Sequence, residues 1–116
     1  MKNKILLIAA LFFSFVCSIS YTQTTAVKYG DNKEAGAYKN INGISMYYEI
    51  YGTGKPLIFL HGNSGSIFSA RAKIEYFKQY FQVIAIDSRG HGKSVDTISK
   101  ELTYTQMADD VKLLLD

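Results

Sequence analysis

The sequence predicts an α/β fold in which an antiparallel hairpin is followed by two parallel strands and two helices. Three observations support this prediction: a hairpin pattern around Asn42-Gly43, two short runs that are wholly apolar, and two segments with helical periodicity. Apolar strands separated by a helix are typical of a parallel sheet covered by helices. We expect the sheet to be incomplete, because so few strands leave sheet edges and a helix face uncovered.

The antiparallel hairpin is predicted for residues 37–41 and 44–51. Asn42-Gly43 between them is the strongest sequence signal for a two-residue hairpin turn. Polar and apolar residues alternate along the second strand, as expected where one face of the strand meets solvent.

Two wholly apolar runs, Leu57–Leu60 and Val83–Ile86, are predicted to be buried parallel strands, the first of them covered on both faces. Between them, spacings of three and four residues predict an amphipathic helix. Its expected inner face comprises Ile67, Ala70, Ile74, Phe77 and Phe81.

A second helix is predicted for residues 103–115. The segment from Thr103 to Gln106 has the form of a capping box, in which Thr103 is the N-cap and Gln106 bonds back to it. The expected inner stripe comprises Tyr104, Met107, Ala108, Val111, Leu114 and Leu115, and the expected solvent face comprises Asp109, Asp110 and Lys112.

The first 20 residues have the pattern of a secretory signal peptide, with Lys2 and Lys4 before an apolar run that ends in small residues. The run is shorter than the roughly 20 apolar residues that a spanning helix needs, so no stable membrane anchor is expected after cleavage. Acylation of Cys17 in a lipoprotein is the alternative, although bulky Phe15-Val16 argues against it. We therefore predict an exported protein with a signal peptide at 1–20, a polar leader at 21–36 and a domain at 37–116.

Composition excludes several classes of function. The formal net charge is +3, and removal of Lys2 and Lys4 with the signal peptide lowers it to +1. The basic residues are scattered, so we expect no nucleic-acid partner. The single cysteine excludes an intramolecular disulfide, and two histidines far apart in sequence do not indicate a metal site. We expect neither a metal nor a cofactor.

Two loops resemble those of the α/β-hydrolase superfamily. The segment 57–66 ends in His61-Gly62-Asn63-Ser64-Gly65-Ser66 and is similar to the oxyanion strand and loop of that family. The segment 87–94, Asp87-Ser88-Arg89-Gly90-His91-Gly92-Lys93-Ser94, is similar to its D-x-R-G-x-G-x-S loop. Helix 103–115 resembles the helix that precedes the nucleophile strand, so the resemblance covers about residues 37–116.

The resemblance implies a serine-type hydrolase that cleaves an ester or related acyl bond of a small-molecule substrate. Backbone N–H groups aimed at the developing oxyanion stabilise the tetrahedral intermediate of such reactions. By resemblance the Asn63 N–H is the expected donor, and Gly62 and Ser64 shape the loop. Glycine at position 62 allows a sharp turn that brings the next amide toward the substrate.

The catalytic triad of the resembled family is not found in these residues. Its nucleophile lies at a G-x-S-x-G elbow, followed by the acid and then the histidine. The 116 residues contain no G-x-S-x-G motif. We therefore expect an inactive N-terminal portion of a hydrolase whose nucleophile lies beyond Asp116.

The remaining polar residues of the two loops are expected to be structural. They are His61, which is expected to fix the loop by hydrogen bonding, together with Asp87, Arg89 and His91. Asp87 is expected to anchor its loop through backbone N–H groups. Ser64, Ser66 and Ser94 have no adjacent base in the sequence, so none is a candidate nucleophile.

A phosphate-binding loop is a rival interpretation of the second loop, because Gly92-Lys93-Ser94 ends like G-x-x-x-x-G-K-S. That motif requires glycine where the chain has Asp87, whose carboxylate would repel phosphate. The sequence therefore does not favour nucleotide binding.

A small autonomous binding module without catalysis is the other alternative. Its contact residues would be Tyr21, Tyr29, Tyr38, Tyr47, Tyr48 and Tyr51. The competing interpretation assigns Tyr47, Tyr48 and Tyr51 to strands and places the other tyrosines at scattered positions on the surface.

Overall fold

The computed structural model describes residues 26–116, so the predicted signal peptide, Cys17 and residues 21–25 of the leader lie outside the described residues. The elements in chain order are β1 (Gly36–Ile41), β2 (Ile44–Tyr51), β3 (Pro56–Leu60), a 3-10 turn (Ile67–Ala70), α1 (Arg71–Phe77), β4 (Gln82–Ile86) and α2 (Tyr104–Leu115). Within residues 26–116, no helix is long and apolar enough to cross a membrane.

The four strands form one mixed sheet in the order β1-β2-β4-β3. β1 pairs with β2 and β2 pairs with β4 in antiparallel fashion, whereas β3 and β4 are parallel. Asn42 and Gly43 both have positive φ, at 47° and 82°, as a two-residue turn between twisted strands requires. The predicted fold class and the hairpin are confirmed.

A hydrophobic cluster lies on each face of the sheet. On one face, the turn and α1 bury Ile67, Ala70 and Ile74 against the sheet, and Phe77 and Phe81 pack at the margin. This confirms the predicted inner face, although α1 ends at Phe77, before the last of these residues. The cluster on the other face comprises Ile41, Ile44, Met46, Ile86 and Leu114, so it joins the hairpin and β4 to α2.

The prediction that the first apolar strand is covered on both faces is wrong for the described residues. β3 lies at the edge of the sheet and pairs there with β4 alone. Leu57 and Phe59 pack against the cluster beneath α1, but Ile58 and Leu60 remain 42% and 49% exposed. β4, in contrast, lies between two strands, and its Val83 and Ala85 are fully buried.

The predicted faces of α2 are partly wrong. Thr103 is the N-cap, and its hydroxyl accepts a hydrogen bond from the Gln106 N–H at 3.2 Å. Leu114 is buried as predicted, whereas Tyr104, assigned to the inner stripe, is 91% exposed. Asp110, assigned to solvent, is fully buried because it pairs with a buried arginine. Ala108 and Leu115, also assigned to the inner stripe, are exposed.

Part of the predicted polar leader lies against the sheet. The N–H groups of Gly30 and Asn32 each donate to the buried Glu49 carboxylate at 2.9 Å. The same carboxylate accepts hydrogen bonds from the Tyr47 and Tyr51 hydroxyls at 2.7 and 2.8 Å. Burial, together with donation to Glu49, raises the pKa of both phenols above the usual tyrosine range.

The tyrosines that the binding-module alternative needs on the surface are mostly enclosed. Tyr29, Tyr47 and Tyr51 are buried, and among the described tyrosines of that set only Tyr38 is more than half exposed. Tyr29 was expected on the surface and instead packs on Tyr51, with ring centroids 4.9 Å apart. These residues stabilise the core and do not form a contact surface.

Candidate functional site

The two loops singled out in the sequence lie at the same end of the sheet. Segment 61–66 follows β3 and segment 87–94 follows β4, and the carboxyl ends of parallel neighbouring strands meet at one edge. A cleft of about 400 Å³ lies there, lined by His61, Gly62, Asn63, His91, Leu102, Tyr104 and Met107. The structure therefore brings both loops and the start of α2 around one cleft.

The backbone of the first loop is fixed by a tight turn. The Gly65 N–H donates to the Gly62 carbonyl at 3.0 Å, and Ser64 takes the left-handed conformation with φ 60°. Ser64 thus shapes the turn, while Gly62 has no positive φ and a Cβ placed there would meet open space. Asn63 is exposed at the cleft, and none of the hydrogen bonds that fix the loop uses its N–H.

His61 joins the two loops. Its Nε2 accepts a hydrogen bond from the Ser88 N–H at 3.0 Å, and its Nδ1–H donates to the Gly62 carbonyl at 2.8 Å. Its ring lies 5.0 Å from the ring of His91, whose Nδ1–H donates to the Arg89 carbonyl at 3.0 Å. His61 is therefore a hydrogen-bonding residue of the loop, as the sequence analysis expects.

Asp87 anchors the second loop, as predicted. Its carboxylate accepts from the Ile67 N–H and the Lys93 N–H, both at 2.8 Å. Ser94 is fully buried, donates to the Asp87 carbonyl at 2.6 Å and accepts from the Tyr47 N–H at 2.8 Å. Its hydroxyl is committed to these bonds, which agrees with its exclusion as a nucleophile.

A buried ionic network lies behind the second loop, and the sequence analysis does not predict it. Arg89 Nε and Nη2 donate to the two carboxylate oxygens of Asp110 at 2.7 and 2.9 Å, and both side chains are fully enclosed. Nη1 donates to Asp96 at 3.2 Å and to the Ser99 hydroxyl at 3.3 Å, and Nη2 also donates to the Asn42 carbonyl at 3.2 Å. The network ties the hairpin turn, the second loop and α2 together.

The charges of this network are stabilised by its hydrogen bonds. Donation to Asp110 raises the pKa of Arg89 above its usual value. Hydrogen bonds from the Ser99 hydroxyl and N–H hold the pKa of Asp96 well below the usual aspartate range. One sequence signal was available, since Asp110 lies three residues after Met107 and four before Leu114 and so falls on the inner stripe of α2.

No group of three or more potential metal ligands occurs among residues 26–116. Two other clefts, of about 500 and 560 Å³, lie beside Ala26 and Val27, and neither is lined by a residue of the two loops. Of these three clefts, only the loop cleft is lined by candidate residues from the two loops.

Comparison with known proteins finds several similar hydrolases. No protein-family model matches the chain. The chain is similar to AB hydrolase superfamily protein YisY of Bacillus subtilis, with 36% identity over 62% of this chain and 27% of that protein. It is also similar to a soluble epoxide hydrolase of Corynebacterium, with 40% identity over 65% and 26% of the two chains. With sn-1-specific diacylglycerol lipase ABHD11 of Danio rerio, it shares 33% identity over 73% and 28%.

Solved structures show the same relationship. Est816, described as an N-acyl homoserine lactone degrading enzyme, matches with TM-score 0.63 and 36% identity over 69% of this chain and 30% of that one. The epoxide hydrolase CorEH matches with TM-score 0.59 and 37% identity over 69% and 28%. The chain spans less than a third of the length of these proteins. Over the part that the matches cover, this chain belongs by sequence and by fold to the α/β-hydrolase superfamily.

Proposed function

We propose that these residues supply the oxyanion loop and part of the sheet of a serine-type hydrolase that cleaves an ester or related acyl bond. The observation that carries the proposal is the backbone of Asn63. It lies exposed on the wall of the loop cleft, at the carboxyl end of β3, and its N–H takes no part in fixing the loop. Ser64 shapes this loop through its left-handed conformation, and the Gly62 carbonyl accepts the Gly65 N–H that closes the turn.

The proposed chemistry follows from this arrangement. Attack on an acyl carbon turns the carbonyl oxygen into an oxyanion, which a donor already aimed at that position stabilises without reorganisation. The turn from Gly62 to Gly65 holds the Asn63 amide in place before substrate binds. Open space beside Gly62 leaves room for the acyl group.

In this proposal the nucleophile, acid and catalytic histidine come from residues outside the 116. The sequence contains no G-x-S-x-G motif. Purified residues 21–116 are therefore expected to hydrolyse a simple aryl ester at the buffer rate. A rate well above buffer that is abolished by replacement of one serine of the chain would contradict a nucleophile outside the chain.

The Asn63 donor is tested in the active hydrolase that contains these residues. Asn63→Pro removes the N–H, and Asn63→Ala keeps it while removing the side chain. We expect Asn63→Pro to lower kcat by about 10²–10³-fold, the usual effect of losing one oxyanion donor. Asn63→Ala is the matched control and is expected to stay near wild type. Equal loss in both variants would contradict the assignment of the backbone N–H.

Epoxide opening is the second candidate reaction, because two similar proteins are epoxide hydrolases of 37–40% identity. Parallel assays of an aryl ester and an aryl epoxide on the active hydrolase separate the two reactions. Turnover of the ester supports acyl-bond hydrolysis, and turnover of the epoxide alone supports the second candidate.

We propose further that the protein is exported. The support is the pattern of residues 1–20, with Lys2 and Lys4 before an apolar run and Ser18 and Ser20 at its end. The test is the mass of the N-terminal peptide of the protein recovered outside the cytoplasm. A peptide that begins at Tyr21 supports signal cleavage, an acylated Cys17 indicates the lipoprotein alternative, and an intact Met1 contradicts export with cleavage.

A further inference from the structure

The His61 side chain is hydrogen-bonded to both loops. The Ser88 N–H donates to Nε2 at 3.0 Å, and Nδ1 lies 2.8 Å from the Gly62 carbonyl oxygen. Ser88 is itself held firmly, because it is almost fully buried and its carbonyl accepts from the His91 N–H at 2.9 Å. Each ring nitrogen of His61 therefore has a defined partner.

These partners determine the position of the ring proton. The Ser88 N–H is a donor, so Nε2 must be the bare nitrogen that accepts. A neutral imidazole carries one N–H, which therefore lies on Nδ1 and donates to Gly62. The Ser88 amide thus selects the Nδ1–H tautomer of His61.

The same tautomer fixes a peptide plane that matters for the proposed oxyanion hole. The Gly62 carbonyl and the Asn63 N–H belong to one trans peptide group, so the two point in opposite directions. The carbonyl accepts from both His61 Nδ1–H and the Gly65 N–H. A flip of this peptide would lose both bonds and turn the Asn63 N–H toward two other donors.

We propose that His61 is a positioning residue for the oxyanion donor, and that its Nδ1–H tautomer, selected by the Ser88 N–H, holds the Asn63 N–H toward the loop cleft. The proposal rests on the proposed function in its assignment of Asn63 as a donor. It adds that the second loop sets the direction of that donor through one side chain. His61 is not itself a catalytic residue in this arrangement.

The test is NMR spectroscopy of the 116-residue chain at about pH 8. Long-range ¹H–¹⁵N correlation spectra distinguish a protonated ring nitrogen from a bare one. We expect Nδ1 of His61 to give the protonated type of resonance and Nε2 the bare type. A dominant Nε2–H tautomer, a rapidly averaging mixture, or random-coil amide shifts at Ser88 and Asn63 would overturn the proposal.

Two variants separate positioning from a general structural role. In His61→Asn the amide NH2 lies near the place of Nδ1, whereas in His61→Gln the amide oxygen lies near the place of Nε2. We expect His61→Asn to keep the Asn63 amide resonance and to speed hydrogen exchange at Ser88 about tenfold. We expect His61→Gln to keep the Ser88 amide protected and to shift the Asn63 resonance. Equal shifts at Asn63 in both variants would overturn the proposal.

These readouts are independent of catalysis. If the tautomer and the variant pattern are found but Asn63→Pro leaves kcat unchanged, the positioning by His61 stands and the oxyanion function fails. If Asn63→Pro lowers kcat but His61 has the other tautomer, the oxyanion function stands and this inference fails.

Discussion

Asp110→Ala is expected to destabilise the fold strongly, because it leaves Arg89 with a buried charge that is only partly compensated. The substitution removes both hydrogen bonds from Arg89, at 2.7 and 2.9 Å between side chains with no solvent exposure, and a third from Asn42 Nδ2 at 2.8 Å. Each such bond contributes about 1.5–3 kcal/mol, and breaking a buried ion pair costs about 3–5 kcal/mol. Asp96 and Ser99 still accept from Arg89, so we place the loss near the lower limit, at about 3 kcal/mol.

The assay is urea unfolding of the chain followed by far-UV circular dichroism. A loss of about 3 kcal/mol with a slope near 1 kcal/mol/M lowers the midpoint by about 3 M. Asp109→Ala is the matched control, because Asp109 is the exposed neighbour on the same helix and its loss should cost under about 0.5 kcal/mol. Equal midpoints for the two variants would refute the reasoning about the buried network.

Two further predictions concern the core and the second loop. Because burial and the Glu49 carboxylate raise the pKa of Tyr47 above the unfolded value of about 10, the stability it contributes is lost as pH rises through the folded pKa. The pKa of Tyr51 is raised in the same way, so ultraviolet titration should show phenols that ionise above about pH 10, with one fewer in Tyr47→Phe than in the wild type. Ionisation of every phenol in a single step near pH 10 would contradict this. Gly92→Ala should lower the free energy of unfolding in urea by about 3 kcal/mol, because φ is 51° and a Cβ there would overlap the Asp87 carboxylate. Gly62→Ala is the control and should lower it by under about 0.5 kcal/mol, because a Cβ there meets open space. Similar losses of stability in the two variants would contradict this geometry.

The fold was predictable from local pattern. Asn42-Gly43 fixed the hairpin because both residues accept positive φ, and apolar spacing located both helices. The exposure of Ile58 and Leu60 was not predictable in this way. A wholly apolar run indicates what can be buried, but the position of β3 at the sheet edge depends on pairing that sequence periodicity does not encode.

The candidate site was predictable as a pair of loops, but the side-chain hydrogen bonds within it were not. The family-like segments lie around one cleft, and Asp87 anchors its loop through backbone N–H groups as expected. Asp110 was assigned to solvent because an aspartate on a helix is usually exposed, and its partner Arg89 lies 21 residues away in the chain. The hydrogen bond from Ser88 to His61 spans 27 residues and likewise leaves no local signal.

The central claim is that these residues are the oxyanion-loop portion of a serine-type hydrolase. The most direct measurement is the coding DNA past codon 116, read in all three frames. The account predicts a G-x-S-x-G motif within a few tens of codons, in frame or one shift away, as expected for the nucleophile elbow of the family. Its absence from every frame would contradict the claim for this gene.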